Sequence, residues 1–399
     1  MTSRRSEPVS IPGLDIPRAK RYGRTRLAVL LASTAWSVAR LVWFASDRRA
    51  SRLEAAFAQT APDRRLTTPG FVAIWTALSW CSSLPAAFLG GYVVERHFGL
   101  TKQPVRGWLT DQVKDLLLAL AVRVPLVTAA YAVIRRRPRD WWLVLSGAAV
   151  PFAVVLSNVA PTLLMPIFNT FTPLRNAALH ERIRALSERA GVTISDVYQM
   201  DMSRQSEKPN ALFTGLGNSK RIVLGDTLLE RFDDDEIEAV VAHELGHQVH
   251  GDIWRLIGFG AAADFAMAGL LSRLAPPVLQ RTFRQTGVRR VDGVASLPVL
   301  ALILTVTGFV LMPIQAAFSR ALERRADRYA LDLTRDGEAY ARAMERLAAL
   351  ALADPDPPRP VVLLLYSHPP IGDRIRAARE APTRLEPTTD DRQPIALSS

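Results

Sequence analysis

Residues 233–251 read DDDEIEAVVAHELGHQVHG. Three aspartates open the stretch, an apolar run over 237–242 follows, and Gly251 closes it. Aspartate oxygens cap the first free amides of a helix, and glycine takes the left-handed turn that ends one. The spacing predicts a helix over 234–249. His243 and His247 then stand four residues apart on one face, where two imidazoles reach one ion. Glu244 points into the same space without being a ligand, placed to work on a water activated by zinc. The five-residue pattern also arises by chance, as two surface histidines on an amphipathic helix. The acidic cap and the apolar run before it favour the metal reading.

A catalytic zinc needs a third protein ligand and an open position. The longer pattern HExxHxxGxxH does not supply it, because its glycine and third histidine positions hold His250 and Ile253. The later stretch Glu323-Arg324-Arg325-Ala326-Asp327 offers a glutamate, with an aspartate one helical turn on. Glu323 is the expected third ligand. Asp327 is the expected acceptor for a ligating imidazole, fixing its tautomer. The competing reading is a solvated, ion-paired helix face. Farther on, Ser367-His368-Pro369-Pro370 precedes Arg374. A histidine and an arginine beside a zinc can stabilise a developing oxyanion. The same residues also read as a helix start, with Pro370 in its first turn. His97, His180 and His250 have no comparable partners and read as surface or loop residues.

The chain has 399 residues, 49% hydrophobic and 22% charged, with a formal net charge of +12. So apolar a balance favours a membrane class. The positive charge shows no stripe with interleaved aromatics and no nucleic-acid motif, so no nucleic-acid partner is expected. It reads instead as arginines flanking apolar segments and facing anionic lipid. The single cysteine, Cys81, excludes an internal disulfide, a thiolate zinc site and an Fe–S cluster.

A bilayer crossing takes about 20 apolar residues. Windows at 27–44, 71–94, 116–134, 141–168 and 294–318 come near or exceed that length and 256–271 falls short of it, giving about six spans, four before a polar insert and two after it. Arg123 and Asp264 fall inside two of them. Arg123, mid-span, is expected to line a polar cavity or pair within the bundle, while for Asp264 that reading stands level with a span drawn too far and a charge that snorkels. The N-terminus reads as an anchor rather than a cleaved signal. Its basic residues argue for a cytoplasmic start, which puts the insert on the cytoplasmic side of a multi-pass cell-membrane protein.

The organisation that follows is a basic tail over 1–26 and four spans over 27–168. A peptidase-like insert fills 169–255, and two spans follow over 256–318. The remainder of the insert's domain spans 319–382, before a disordered tail over 383–399. Within the insert, 174–190 reads as a helix. Strands are expected over 192–202, 210–214 and 221–224, with helices over 319–334 and 337–352.

With these residues in place, the chain resembles the integral-membrane zinc metallopeptidases typified by the type I CAAX prenyl protease, related to the heat-shock membrane metalloproteases. The likeness runs from about Tyr92 to Arg374. It rests on Val94-Glu95 with His97-Phe98-Gly99, Pro166-Ile167-Phe168-Asn169 and Phe171-Thr172-Pro173-Leu174. It continues through Asn210-Ala211 with Phe213, Arg221-Ile222-Val223-Leu224, Asp226-Thr227-Leu228-Leu229, HELGH, Ser319-Arg320 with Glu323 and Asp327, and Ser367-His368-Pro369-Pro370 with Arg374.

The resemblance implies a mainly α fold. A bundle of about six transmembrane helices would carry a gluzincin-type domain with a small β-sheet, and the spans would enclose a water-filled chamber. It implies one zinc per chain on His243, His247 and Glu323, with His368 and Arg374 acting on the transition state. Asn210, Ala211 and Phe213 would hold a peptide by strand pairing. Two departures stand out. The family commonly has seven spans, and it has His-Ser where this chain has Lys208-Pro209.

The expected reaction is endopeptidase hydrolysis of membrane-associated or misfolded proteins, or of CAAX-like peptides, by glutamate-assisted attack of a zinc-activated water. The expected partners are a peptide or protein substrate and membrane lipids. The alternatives are a catalytically silent membrane scaffold, and a zinc hydrolase of a non-peptide amide or lipid.

Overall fold

The computed structural model describes residues 10–60, 63–215 and 220–381. Six helices are long and apolar enough to cross a membrane: α1 (Ile16–Ala45), α3 (Thr67–His97), α4 (Val105–Arg136), α5 (Trp141–Phe168), α9 (Asp252–Thr286) and α10 (Val294–Thr334). Each contains one expected window. All but α5 run past their windows, because polar ends extend into the water layers on either side. Their surfaces expose Leu31, Leu117, Val155, Val306 and Val310, large apolar groups that lipid chains would cover. Arg123 and Asp264 are exposed, and neither makes a hydrogen bond or ion pair among the described residues.

Between α1 and α3 lies α2 (Arg49–Thr60). At 1.5 Å per residue its 12 residues reach about 18 Å, too short to span. It ties the bundle's far end instead. Glu54 accepts from the backbone N–H groups of Val294 (3.1 Å) and Ala295 (3.3 Å), covering the free amides at the start of α10. Arg48 N–H donates to the Gln285 carbonyl, and the Ser51 hydroxyl to that of Thr286. Phe44, Phe71, Trp75, Tyr131, Leu271 and Leu279 form the buried core at this end.

The opposite ends of the spans carry the polar layer. Its sheet comprises β1 (Phe171–Pro173), β2 (Asp196–Met200), β3 (Ala211–Thr214) and β4 (Arg221–Gly225), in the order β1-β2-β4-β3. The β2–β4 pair is parallel and the outer pairs are antiparallel, so β3 is an edge strand. The helix expected over 174–190 is α6 (Ala177–Arg189), with Asn176 accepting from the Leu179 amide. The long strand expected over 192–202 shortens to β2, because a turn over 191–195 follows α6. Strand β1 and helix α7 (Asp226–Arg231) were not anticipated as elements, being too short for a period to register.

Helix α8 (Asp234–Val249) starts as its sequence requires. Asp233 accepts from the Glu236 amide at 2.9 Å, and Glu236 accepts back from Asp233 at 3.0 Å. Helices α11 (Gly337–Ala351), α12 (Arg359–Leu365) and α13 (Ile371–Arg379) complete the layer. Leu179, Ile183, Ile222, Leu224, Ile237, Leu245, Tyr340 and Ile375 are fully or almost fully buried in its core. The tail expected over 383–399 lies outside the described residues.

Candidate metal centre

Helices α8 and α10 cross where α8 carries Gly246. A Cβ at Gly246 would sit 3.1 Å from Ala326 Cα and 3.2 Å from its carbonyl oxygen. The missing side chain lets the backbones approach closely enough for α10 to present Glu323 to both histidines. His243 Nε2 lies 3.3 Å from Glu323 Oε2, and His247 Nε2 lies 3.6 Å from Glu323 Oε1. The two Nε2 atoms face each other at 3.2 Å.

The outer nitrogens are occupied. His243 Nδ1 meets Asp327 Oδ1 at 2.9 Å, and His247 Nδ1 meets Asp252 Oδ2 at 2.8 Å. A carboxylate on Nδ1 holds the proton there and aims the Nε2 lone pair inward. Asp327 is held in turn by Arg374, whose Nε and Nη2 donate at 3.0 and 2.7 Å, and by the Tyr340 hydroxyl at 2.5 Å. Tyr340 is fully buried. Arg325 forms a charged hydrogen bond with Asp252. The stretch 323–327 thus serves both histidines: Glu323 between them, Asp327 behind one, and Arg325 behind the carboxylate of the other.

Zinc suits this donor set. Two nitrogens bonded to it at about 2.1 Å in a tetrahedral array lie about 3.4 Å apart, close to the spacing here. Donor atoms of His243, His247 and Glu323 all fall within 4.8 Å of one another. Glu323 Oε2 is buried without a hydrogen-bond partner. Such an orphaned group costs about 1–3 kcal/mol, and more for a charged one, which a cation would relieve.

The electrostatics point the same way. Burial opposes a charge on His243, but the carboxylates of Asp327 and Glu323 beside it prevail and push its pKa up to about 9. Burial pushes the Glu244 carboxyl above the usual range, while the two histidines pull it back. The backbone N–H of Phe213, on β3, also pulls it down.

His368 Nε2 lies 3.3 Å from Glu323 Oε1, and its side chain is 57% exposed, at the mouth of the group. Its Nδ1 meets the Ser367 hydroxyl at 2.8 Å. Arg374 stands elsewhere. Its guanidinium is committed to Asp327 and to the Tyr340 hydroxyl (2.8 Å), on the Nδ1 side of His243. Asn210 and Ala211 lie at the start of the edge strand, and Asn210 accepts from the Gly225 amide at 2.9 Å. Two groups escaped the sequence reading, Asp252 and Tyr340. Asp252 carried a signal: an acid directly after the helix-ending Gly251, whose φ of +63° turns the chain back toward His247. Tyr340 carried none. Two other histidines also have partners: His180 pairs with Asp196 at 2.9 Å, and His250 Nδ1 meets the Gly246 carbonyl at 2.7 Å.

The model of "Peptidase family M48" matches residues 173–382, more than half of the chain. The chain belongs to peptidase family M48. It is a membrane-embedded zinc metalloendopeptidase of that family. The model "CAAX prenyl protease N-terminal, five membrane helices" matches residues 11–170, where this M48 chain has four spanning helices and the short α2. An uncharacterized metalloprotease, YhfN, of Bacillus subtilis is 33% identical over 323 residues, 80% of this chain and 75% of its own. CAAX prenyl protease 1 of Saccharomyces cerevisiae is 34% identical over 207 residues, 51% of this chain and 45% of its own. The crystal structure of S. mikatae Ste24p superposes with a TM-score of 0.82 at 26% identity, covering 93% of this chain and 91% of that one.

Proposed function

We propose that this M48 peptidase holds one zinc per chain on His243, His247 and Glu323, and cleaves extended peptide segments laid along the edge of β3. The observation that carries the reading is the pair of inward Nε2 atoms, 3.2 Å apart, set against a buried Glu323 oxygen that makes no hydrogen bond. When bound, zinc supplies a Lewis acid that acidifies water and polarises a carbonyl.

Glu244 accepts the proton of the attacking water and passes it to the leaving amine nitrogen. Its burial favours both halves of that task, since a raised pKa makes the carboxylate a better base and its acid form still donates. His368 donates from Nε2 to the oxyanion as it forms. Arg374 was expected beside His368 in that role. Its contacts support a different one, as the positioning residue that fixes Asp327 and, through Asp327, the tautomer of His243. Tyr340 acts with it, and Asp252 does the same for His247.

Strand β3 supplies the substrate rail. Asn210 opposite Gly225 is a hydrogen-bonded pair of the antiparallel ladder. Alternation then turns the backbone groups of Ala211 and Phe213 toward the free edge. A peptide added there would run past Glu244, whose carboxyl the Phe213 amide already influences. The substrates proposed are membrane-associated or misfolded proteins and CAAX-like peptides, with the polar layer on the cytoplasmic side.

Zinc content and casein cleavage, measured in the purified protein and in Glu323→Ala, test the centre. One zinc per chain, lost together with cleavage in the variant, is the expected result. Zinc retained in Glu323→Ala removes Glu323 from the ligand set.

A further inference from the structure

A cleft of about 570 Å³, sharing no residue with the metal group, lies between the start of α1 and the end of α3. Arg18, Arg21, Arg24 and Thr25 line one wall, and Val93, Val94, His97 and Phe98 the other. No carboxylate lines it. Arg18, Arg21 and Thr25 fall on one face of α1 by helical spacing. Arg18 Nη2 is fixed to the Phe98 carbonyl at 2.8 Å, and Val94 and Phe98 make a buried apolar floor. The guanidinium groups of Arg21 and Arg24 are exposed and make no hydrogen bond or ion pair among the described residues.

The acid on the α3 side is already taken, while Asp15 caps α1 at the Arg18 amide, and Asp354 and Asp356 face Arg24 only from the adjoining cavity. Glu95 binds the Tyr22 hydroxyl at 2.6 Å, Arg26 at 3.0 Å and Lys208 at 2.8 Å. The cleft therefore keeps its positive charge. Its height in the bilayer is set by the sequence. The apolar stretch of α1 begins at Leu27, three residues or about 4.5 Å past Arg24. Arg18 to Arg24 stand at the level of lipid headgroups, with apolar walls toward the acyl chains.

We propose that this cleft binds the phosphate headgroup of an anionic phospholipid. Arg21 and Arg24 take the phosphate oxygens, and the glycerol backbone rests against Val93 and Phe98. Charge complementarity and headgroup height select this occupant over a zwitterionic lipid, whose choline would meet three arginines. The occupied cleft would clamp α1 to α3 beside Glu95, the residue that holds Lys208 at the entry to β3.

The test uses full-length protein, delipidated in a neutral detergent and offered phosphatidylglycerol or phosphatidylcholine, with bound lipid read by native mass spectrometry. Phosphatidylglycerol should be retained, and Arg21→Gln/Arg24→Gln should weaken it at least about tenfold. Arg21→Lys/Arg24→Lys should keep most of it. Zinc content and the thermal unfolding midpoint of the glutamine variant in detergent should match the parent, which separates lost binding from lost folding. Arg136→Gln/Arg139→Gln, at the opposite ends of the spans, should change nothing. An equal loss in that control would reduce the effect to general surface charge and overturn the site. Inorganic phosphate or glycerophosphate that displaces the lipid at similar concentration would also overturn it, in favour of a soluble anion.

Discussion

Glu244 and His243 sit one residue apart and face opposite electrostatic demands. Glu244 is a base only while ionised, and burial raises the pH at which it protonates. Glu244→Gln keeps the shape, but its neutral amide is far too weak a base to take a proton from water. We expect it to retain zinc and lose about 10²–10⁴-fold in peptide cleavage. Full activity in that variant removes Glu244 from its role. His243 must present a bare Nε2 to a metal, yet its contacts raise its pKa to about 9 in the metal-free protein. A raised value means the proton is bound below pH 9, so zinc must displace it. Zinc uptake near neutral pH should therefore release about one proton, and apparent affinity should fall as the medium is acidified. Calorimetry in buffers of different ionisation enthalpy reads that proton directly. The same enthalpy in every buffer contradicts the assignment.

Two helices, α8 and α10, make the site, and what joins them is the absence of a side chain at Gly246. Gly246→Ala would force its methyl against the backbone of Ala326 at about 3.1 Å. Backbone yields less easily than a flexible side chain. We expect a loss of about 1–3 kcal/mol in stability and weaker zinc binding, as the helices part by a few tenths of an ångström. Unchanged zinc affinity in a folded Gly246→Ala protein rules out the crossing as the organiser. The carboxylates behind the imidazoles act at the same scale. Asp252→Asn and Asp327→Asn should each lower zinc affinity about 10–100-fold while leaving the metal donors in place. Competition with a chelator of known affinity measures both.

The spans divide the molecule into two faces. The metal group, β3 and the start of α1 share one, and the turns at 46–48, 137–140 and 287–293 share the other. Positive charge stands on both. Five Arg or Lys line α1 between Arg18 and Arg26, while Arg135, Arg136, Arg137 and Arg139 crowd the far turn. Both faces hold engaged arginines, Arg137 with Asp140 and Arg290 with Asp292 on the far one, Arg18 with the Phe98 carbonyl and Arg26 with Glu95 on the near one. From the basic run at the start of α1 we propose a cytoplasmic polar layer facing anionic lipid. Cysteines at Glu188 and Arg139, in a Cys81→Ser background, decide it. Impermeant reagent outside intact cells should modify Arg139→Cys and spare Glu188→Cys. The reverse pattern inverts the orientation.

The six apolar windows and the capped helix 234–249 were determined by the sequence alone, because each follows from local spacing, whereas Glu323 and Asp327 were matched to HELGH by the donors a zinc site needs and by the family resemblance. A bilayer demands a run of fixed length, a helix face repeats every 3.6 residues, and an N-cap needs one oxygen beside the first free amide. Tertiary structure decided what spacing cannot reach. Arg374 looked like a partner of His368 because the two are close in sequence, but α13 turns its guanidinium back onto Asp327. Tyr340 is an ordinary aromatic on an amphipathic helix until packing buries its hydroxyl against that same carboxylate. The cleft at Arg18, Arg21 and Arg24 exists only because α3 returns to the start of α1, some 70 residues later in the chain. Contacts of that kind depend on which surfaces meet, and a surface formed by two distant segments leaves no period in either of them.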